Sequence, residues 1–133
     1  MTEGDGDEIR PRRATAVPPV GLTHRMSWEV KPEHVPGHVP ASVLSTPSLV
    51  AFIEGTCRRA ALTHLEPGHE TVGAHVCVSH EGTAHVGEEV EVSIALVAVE
   101  RRRLTFEVHV VGPRGDVSRG THQRVVVDTR RFG

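Results

Sequence analysis

Apolar residues recur at two different spacings along the chain, and the spacing changes near residue 66. Between residues 45 and 65 the apolar positions lie three and four residues apart, which is the period of one face of an α-helix. Ser45 or Thr46 can cap the start of this helix, Pro47 suits its first turn, and Pro67-Gly68 ends it. The pattern predicts one long helix whose apolar face lies on a sheet. The positions of that face are Val50, Ile53, Cys57, Ala60 and Ala61.

The rest of the chain alternates apolar and polar residues with the period of β-strands. One alternating segment, residues 20–30, precedes the helix, and four segments follow it. The four are residues 71–80, 89–99, 103–111 and 117–127. Their short links require antiparallel pairing, so the order of elements predicts an α+β domain with a five-stranded antiparallel sheet and one covering helix. In the first of the four, one strand face is expected to carry Val72, Ala74, Val76, Val78 and His80.

Composition narrows the possible function classes. With 15 basic and 17 acidic residues and a formal charge of −2, the chain offers no nucleic-acid footprint. No apolar run approaches the roughly 18 residues of a membrane span. Cys57 and Cys77 have no C-x-x-C spacing, so free buried thiols in a reducing cytoplasm are expected. No metal site is expected either, because Pro36-Gly37 prevents His34 and His38 from lying on one face of a helix. No cofactor is implied by the sequence.

The length of 133 residues fits a single domain. Residues 1–19 are charged and rich in glycine and proline, so they cannot bury apolar surface. We therefore expect a disordered leader followed by one domain at residues 20–130.

Three polar residues stand out against these patterns. At about 100° per residue, Glu54 falls within the apolar stripe of the helix, and Thr46 lies in the same arc. A carboxylate that loses water needs polar partners, so Glu54 either bonds a neighbouring strand, lies at the edge of the stripe, or belongs to a functional site. His80 ends the strand predicted at residues 71–80, where it is either a surface residue or a catalyst, since histidines titrate near neutrality.

Five stretches between Leu44 and Arg124 form a set of motifs in unbroken register. They read S-T-P-S-L-V-A-F-I-E-G-T-C-R-R-A, H-L-E-P-G-H-E-T-V-G-A-H-V-C-V-S-H, V-G-E-E-V-E-V, E-R-R-R-L-T-F-E-V and G-T-H-Q-R. Together they resemble the fluoroacetyl-CoA thioesterase family and its broader relatives. The most specific part is the L-E-P-G turn followed by V-G and S-H.

The resemblance implies a hotdog fold, in which the sheet wraps around one long central helix, and an acyl-CoA thioesterase that cleaves a short or medium acyl group. Carried over by position, it implies catalytic roles for Thr46, Glu54 and His80, and substrate contacts for Gly73 and Arg124. It also implies a homodimer whose sheets pair edge to edge, with the active sites at the dimer interface.

Several alternatives stay open at this stage. A non-catalytic acyl-CoA-binding or sensing module would keep the same fold, whereas a hydratase is disfavoured because no D-x-x-x-x-H pattern lies near the helix start. The fluoroacetyl-specific enzyme carries lid phenylalanines in a longer segment before the helix. Here Lys31–Val43 is short and has no aromatic residue, so fluoroacetyl specificity is not expected. The sequence does not distinguish CoA from a carrier protein, or a nucleophilic from a general-base role for Glu54.

Overall fold

The computed structural model describes residues 16–131. The elements, in chain order, are β1 (Thr23–Glu29), α1 (Thr46–Leu62), β2 (His69–Val78), β3 (Glu89–Glu100), β4 (Arg103–Gly112) and β5 (Gly115–Asp128). Short 3-10 turns lie at Pro32–His34 and Thr129–Arg131. Residues 1–15 of the predicted leader lie outside the described residues, and Val17 packs against the core.

The five strands form one antiparallel sheet in the order β1-β3-β4-β5-β2. The strands present alternate apolar side chains to α1, and the resulting core includes Val92, Leu96, Leu104 and Phe106. The predicted α+β architecture, one helix against a five-stranded antiparallel sheet, is therefore confirmed. β2 and β1 are the two edge strands of this sheet.

The start of α1 follows the sequence prediction, whereas its end and its buried face differ from it. Ser45 is the N-cap, and its hydroxyl accepts a hydrogen bond from the Ser48 N–H at 3.2 Å. The helix ends at Leu62 rather than Leu65, because the following residues close a tighter turn with N–H groups bonded three residues back. The buried face comprises Leu49, Phe52, Ile53, Thr56, Cys57, Ala60 and Ala61.

This face is rotated from the predicted one, since Val50 is only partly buried. Glu54 consequently lies at the border of the apolar stripe, with 41% of its side chain exposed. This matches the reading that places Glu54 at the edge of the stripe, and its exposure leaves the functional reading open.

A β-bulge in β2 changes which residues face the helix. Gly73 pairs with Arg124 and His75 pairs with Gln123, so Ala74 is an extra residue in the strand. Before the bulge odd-numbered residues such as Thr71 face α1, and after it even-numbered ones such as Val78 do so. The prediction that residues 72–80 alternate without interruption is therefore wrong for the first half of β2.

The segment between β1 and α1 crosses over the helix. The ring of His34 lies edge-on to Phe52 with ring centres 4.8 Å apart, and Trp28 stacks on Phe52 at 4.9 Å. Within residues 16–131, no helix is both long enough and apolar enough to cross a membrane.

The two cysteines differ in exposure. Cys57 is buried on α1, as expected, but Cys77 is exposed in the protomer because it lies on the edge strand β2. The prediction of a buried thiol is therefore wrong for Cys77.

Gly120 provides a test of how tightly β5 and β2 are paired. A Cβ at Gly120 would overlap the carbonyl oxygen of Cys77 and lie 2.6 Å from the Cα of Val78, so the strands would have to separate. We expect Gly120→Ala to lower the free energy of unfolding by about 2 kcal/mol or more, measured by urea denaturation. Gly37→Ala is the control, because nothing lies within 4 Å of a Cβ there. Equal stability of the two variants would contradict the observed strand pairing.

Candidate active site

The carboxylate of Glu54 lies over the backbone of Gly73. A Cβ at Gly73 would stand only 2.5 Å from Glu54 Oε2, so the carboxylate occupies space that any other residue would fill with its side chain. Glu54 Oε2 is also 3.9 Å from Nη1 of Arg124, which is paired with Gly73 across the sheet. The fold thus brings together three of the five residues predicted from the sequence.

Arg124 is held on three sides by groups from the sheet. Its Nε donates to Thr71 Oγ1 at 2.7 Å and its Nη2 donates to the Thr71 carbonyl at 2.9 Å. Its Nη1 lies 3.1 Å from Nε2 of His122. These contacts leave Nη1 as the part of the guanidinium that faces Glu54.

Burial sets the electrostatics of this cluster. Arg124 is only 5% exposed, and this burial lowers the pKa of its guanidinium, while the nearby charge of Glu54 acts in the opposite direction. Burial also raises the pKa of the neighbouring Cys57 thiol to about 12, so that this cysteine stays protonated at neutral pH. Because Arg124 faces inward, its position favours a neighbouring carboxylate over a CoA phosphate as its partner.

The other two predicted residues, Thr46 and His80, form a separate pair at the start of α1. Thr46 Oγ1 lies 2.7 Å from Nδ1 of His80. Partial burial lowers the pKa of His80 below its usual 6.5, and the backbone of Gly82 opposes this shift. At pH 7 the imidazole is therefore neutral and can hydrogen-bond a water molecule or a substrate atom.

The two groups occupy different parts of one protomer. Thr46 and Glu54 are eight residues apart on α1, which corresponds to about 12 Å of helix rise. Within residues 16–131, no hydrogen bond or ion pair joins the Thr46 and His80 pair to the Glu54 cluster. The same range contains no group of three histidine, cysteine, aspartate or glutamate residues placed to hold a metal ion.

Thr71 and His122 belong to the Glu54 cluster but were not predicted from the sequence. His122 and Arg124 are two residues apart on β5 and both face α1, so a polar pair on the inward face of an otherwise apolar strand was the available signal. Thr71 was hidden by the bulge, which reverses the alternation that the sequence suggests.

Comparison with known proteins places this geometry in context. The family model described as fluoroacetyl-CoA-specific thioesterase, FlK, matches residues 22–130. The chain is 34% identical over 90 residues to the fluoroacetyl-CoA thioesterase of Streptantibioticus cattleyicolor, and this alignment covers 68% of the chain. It spans 65% of that relative's length, slightly less than two thirds.

Solved structures of thioesterases have a similar fold. A structure of the fluoroacetyl-CoA thioesterase FlK is 30% identical, with a TM-score of 0.81 over 86% of this chain and 91% of the other. A variant of FlK in complex with fluoroacetate and CoA is 29% identical, with a TM-score of 0.80 over 86% of this chain and 99% of the other. A thioesterase superfamily member from Thermus thermophilus, at 24% identity and a TM-score of 0.78 over 85% of this chain and 86% of the other, shares the fold. These matches confirm the predicted hotdog fold.

The two histidines near the site predict a pH dependence of stability. Burial lowers the pKa of both His80 and His122 below 6.5. Below pH 6.5 the unfolded chain therefore binds protons that the folded chain does not, and stability falls as the pH falls. We expect the free energy of unfolding in urea to decrease from pH 7 to pH 5 at fixed protein concentration.

His122→Gln serves as the control for this measurement, because glutamine does not titrate. The variant is expected to show a shallower decrease over the same pH range. A wild-type free energy of unfolding that stays constant from pH 7 to pH 5 would contradict the lowered pKa values.

Proposed function

Because the chain belongs to the fluoroacetyl-CoA-specific thioesterase family, we propose that it hydrolyses a short or medium acyl-CoA thioester to the free acid and CoA. The observation that carries this proposal is the carboxylate of Glu54, which is 41% exposed and lies beside Arg124 over the backbone of Gly73. We also propose that the protein is cytoplasmic, because the free thiols of Cys57 and Cys77 are typical of a reducing compartment.

Thioester hydrolysis needs a group that activates water or attacks the acyl carbon. Glu54 fits this role because its carboxylate is accessible and lies 3.9 Å from the buried guanidinium of Arg124. Since Gly73 has no side chain, the acyl group can approach Glu54 along the edge of the sheet.

Thr46 and His80 are suited to the other parts of the reaction. His80 is neutral at pH 7, so it acts by hydrogen-bonding water or the substrate rather than by donating a proton. This is sufficient for the departing CoA, because a thiol with a pKa near 8.5 leaves readily as the thiolate. Thr46 fixes the imidazole through its 2.7 Å contact and lies at the positive end of the α1 dipole.

The proposed active protein is a homodimer formed through β2. Residues 73–77 of this edge strand are exposed in the protomer, and the sheet order leaves one side of β2 unpaired within residues 16–131. If two copies pair antiparallel about His75, Gly73 lies opposite Cys77 of the partner subunit. The partner subunit's His80 is then three residues further, about 10 Å along the strand. One substrate can therefore reach Glu54 of one subunit and the Thr46 and His80 pair of the other.

Acyl selectivity is expected to differ from that of the fluoroacetyl-specific relatives. The segment between β1 and α1 contains no phenylalanine, and within it the ring that contacts Phe52 is the imidazole of His34. We therefore expect acyl-CoAs without fluorine to be hydrolysed at least as well as fluoroacetyl-CoA.

The catalytic proposal is tested by free-thiol release from acyl-CoAs of increasing chain length, with fluoroacetyl-CoA included. Glu54→Gln is expected to lower kcat by about 100-fold or more, because it removes the base or nucleophile while keeping the side-chain size. Glu91→Gln is the matched control, since Glu91 also lies 3.9 Å from an arginine, Arg25, but on the opposite face of the sheet.

Each outcome of this assay separates the candidate functions. Thiol release by wild type and by Glu91→Gln, but not by folded Glu54→Gln, supports the thioesterase. Binding of acyl-CoA without thiol release would favour a non-catalytic acyl-CoA-binding module, and conversion of an enoyl-CoA to its hydrated product would favour a hydratase.

The dimer is tested by measuring the solution mass, which should be twice the protomer mass of 14.4 kDa. Val76→Lys places a charge on the exposed stretch of β2, so we expect it to shift the protein to monomers and to reduce thiol release. Val97→Lys is the control, because Val97 is 40% exposed, compared with 37% for Val76, but lies on the interior strand β3. A wild-type monomer, or a Val97→Lys variant that dissociates like Val76→Lys, would contradict the proposed interface.

A further inference from the structure

His122 is a buried imidazole that the proposed reaction does not use directly. It is 0% exposed and lies between the edge strand β2 and the guanidinium of Arg124. Its Nδ1 is 2.8 Å from the His75 carbonyl oxygen, and its Nε2 is 3.1 Å from Arg124 Nη1. Both ring nitrogens of His122 are thus satisfied, and one of the two partners, Arg124, also faces Glu54.

The partners of His122 determine its protonation state. A carbonyl oxygen can only accept a hydrogen bond, so Nδ1 must carry the proton that is shared with His75. A guanidinium can only donate, so Nε2 must be the unprotonated nitrogen that accepts from Arg124. His122 is therefore neutral, in the Nδ1–H tautomer. Burial and the adjacent charge of Arg124 both lower its pKa, in agreement with the neutral form.

The groups around His122 show why its neutral Nδ1–H tautomer is needed for the hydrogen bond from Arg124. Arg124 faces it from the same strand, Glu54 from α1 and His75 from β2, while the neighbouring residue across the sheet on β4 is the apolar Phe106. A proton on Nε2 would place an N–H group against the N–H groups of Arg124. The hydrogen bond would then be replaced by repulsion between two donors.

The acceptor on His122 also controls how close Arg124 comes to Glu54. At 3.9 Å, Nη1 is close enough to stabilise the carboxylate but too far away for a hydrogen bond. Nη1 carries two N–H groups, and the one that His122 accepts fixes the direction of the other; without that acceptor, Nη1 is free to turn and bond Glu54 directly. A direct bond would shift the carboxylate away from its place over Gly73 and occupy one of its oxygens.

We propose that His122 is a positioning residue for the hydrolysis proposed above, on which this inference rests. By accepting a hydrogen bond from Arg124 Nη1, the unprotonated Nε2 of His122 keeps the guanidinium beside Glu54 without binding it. The oxygens of Glu54 remain free for water or the acyl carbon.

Two amide variants separate the two contacts of His122. His122→Asn can still donate to the His75 carbonyl but has no acceptor that reaches Arg124. His122→Gln is one carbon longer and can place its amide oxygen near the position of Nε2. With the preferred acyl-CoA, we expect His122→Asn to lower kcat by about 10- to 100-fold with KM nearly unchanged, because the carboxylate moves by about 1 Å. His122→Gln is expected to stay within about fivefold of wild type.

A double-mutant cycle with Arg124→Met tests whether His122 acts through Arg124. In the Arg124→Met background, His122→Asn should change kcat by less than about twofold, because the contact it removes is already absent. If the kcat losses of the two single variants multiply in the double variant, the proposal is overturned. Equal loss of kcat in His122→Asn and His122→Gln, or an effect on KM alone, would also overturn it. Urea denaturation of each variant identifies losses that are due to unfolding.

The tautomer of His122 gives a readout that does not require activity. Nitrogen-15 NMR of the histidine rings at pH 7 should show His122 with a protonated Nδ1 and an unprotonated Nε2. An Nε2–H tautomer or an imidazolium would overturn the inference even in an active enzyme. If wild type releases no thiol from any acyl-CoA, the proposed function fails, and this spectrum alone decides whether His122 holds Arg124 in place.

Discussion

The buried charge of Arg124 is the constraint on which the candidate site depends. A guanidinium that is 5% exposed is costly to bury unless its donors are satisfied, so its partners must stay in place whenever the protein is folded. Those partners come from three elements: Thr71 on β2, His122 on β5 and Glu54 on α1. The same contacts that satisfy the charge therefore fix the helix and the edge strand relative to each other, and the carboxylate is held in position by the folding of the whole domain.

The bulge at Ala74 has an equally direct effect on the site. In a regular strand the odd-numbered Gly73 and the even-numbered His80 would lie on opposite faces of the sheet. Because one residue is inserted between them in the pairing, both face α1, where one contacts Glu54 and the other contacts Thr46. The bulge thus allows Gly73 within β2 and His80, two residues after the end of β2, to contribute to the two parts of the proposed site.

The sequence predicted the architecture well because each element is marked by a local pattern. The helical stripe, the alternating strands and their short links predicted the five-stranded antiparallel sheet and its single helix, and the motifs predicted the family. The errors arose where tertiary contacts override local pattern. The bulge hid Thr71, and the rotation of α1 moved Glu54 to the border of the stripe. The catalytic roles of Thr46, Glu54 and His80 stay predictions, since sequence and geometry place these residues without measuring what they do.

The unpaired side of β2 also bears on how this protein is made. Within residues 16–131 this edge has no neighbouring strand, and its backbone N–H and C=O groups, with an exposed valine and cysteine, are a template for any other extended chain. During synthesis that edge is open to pairing with unfolded neighbours. Substitutions in β2 that leave every site residue intact can therefore still reduce the amount of soluble protein that a cell recovers.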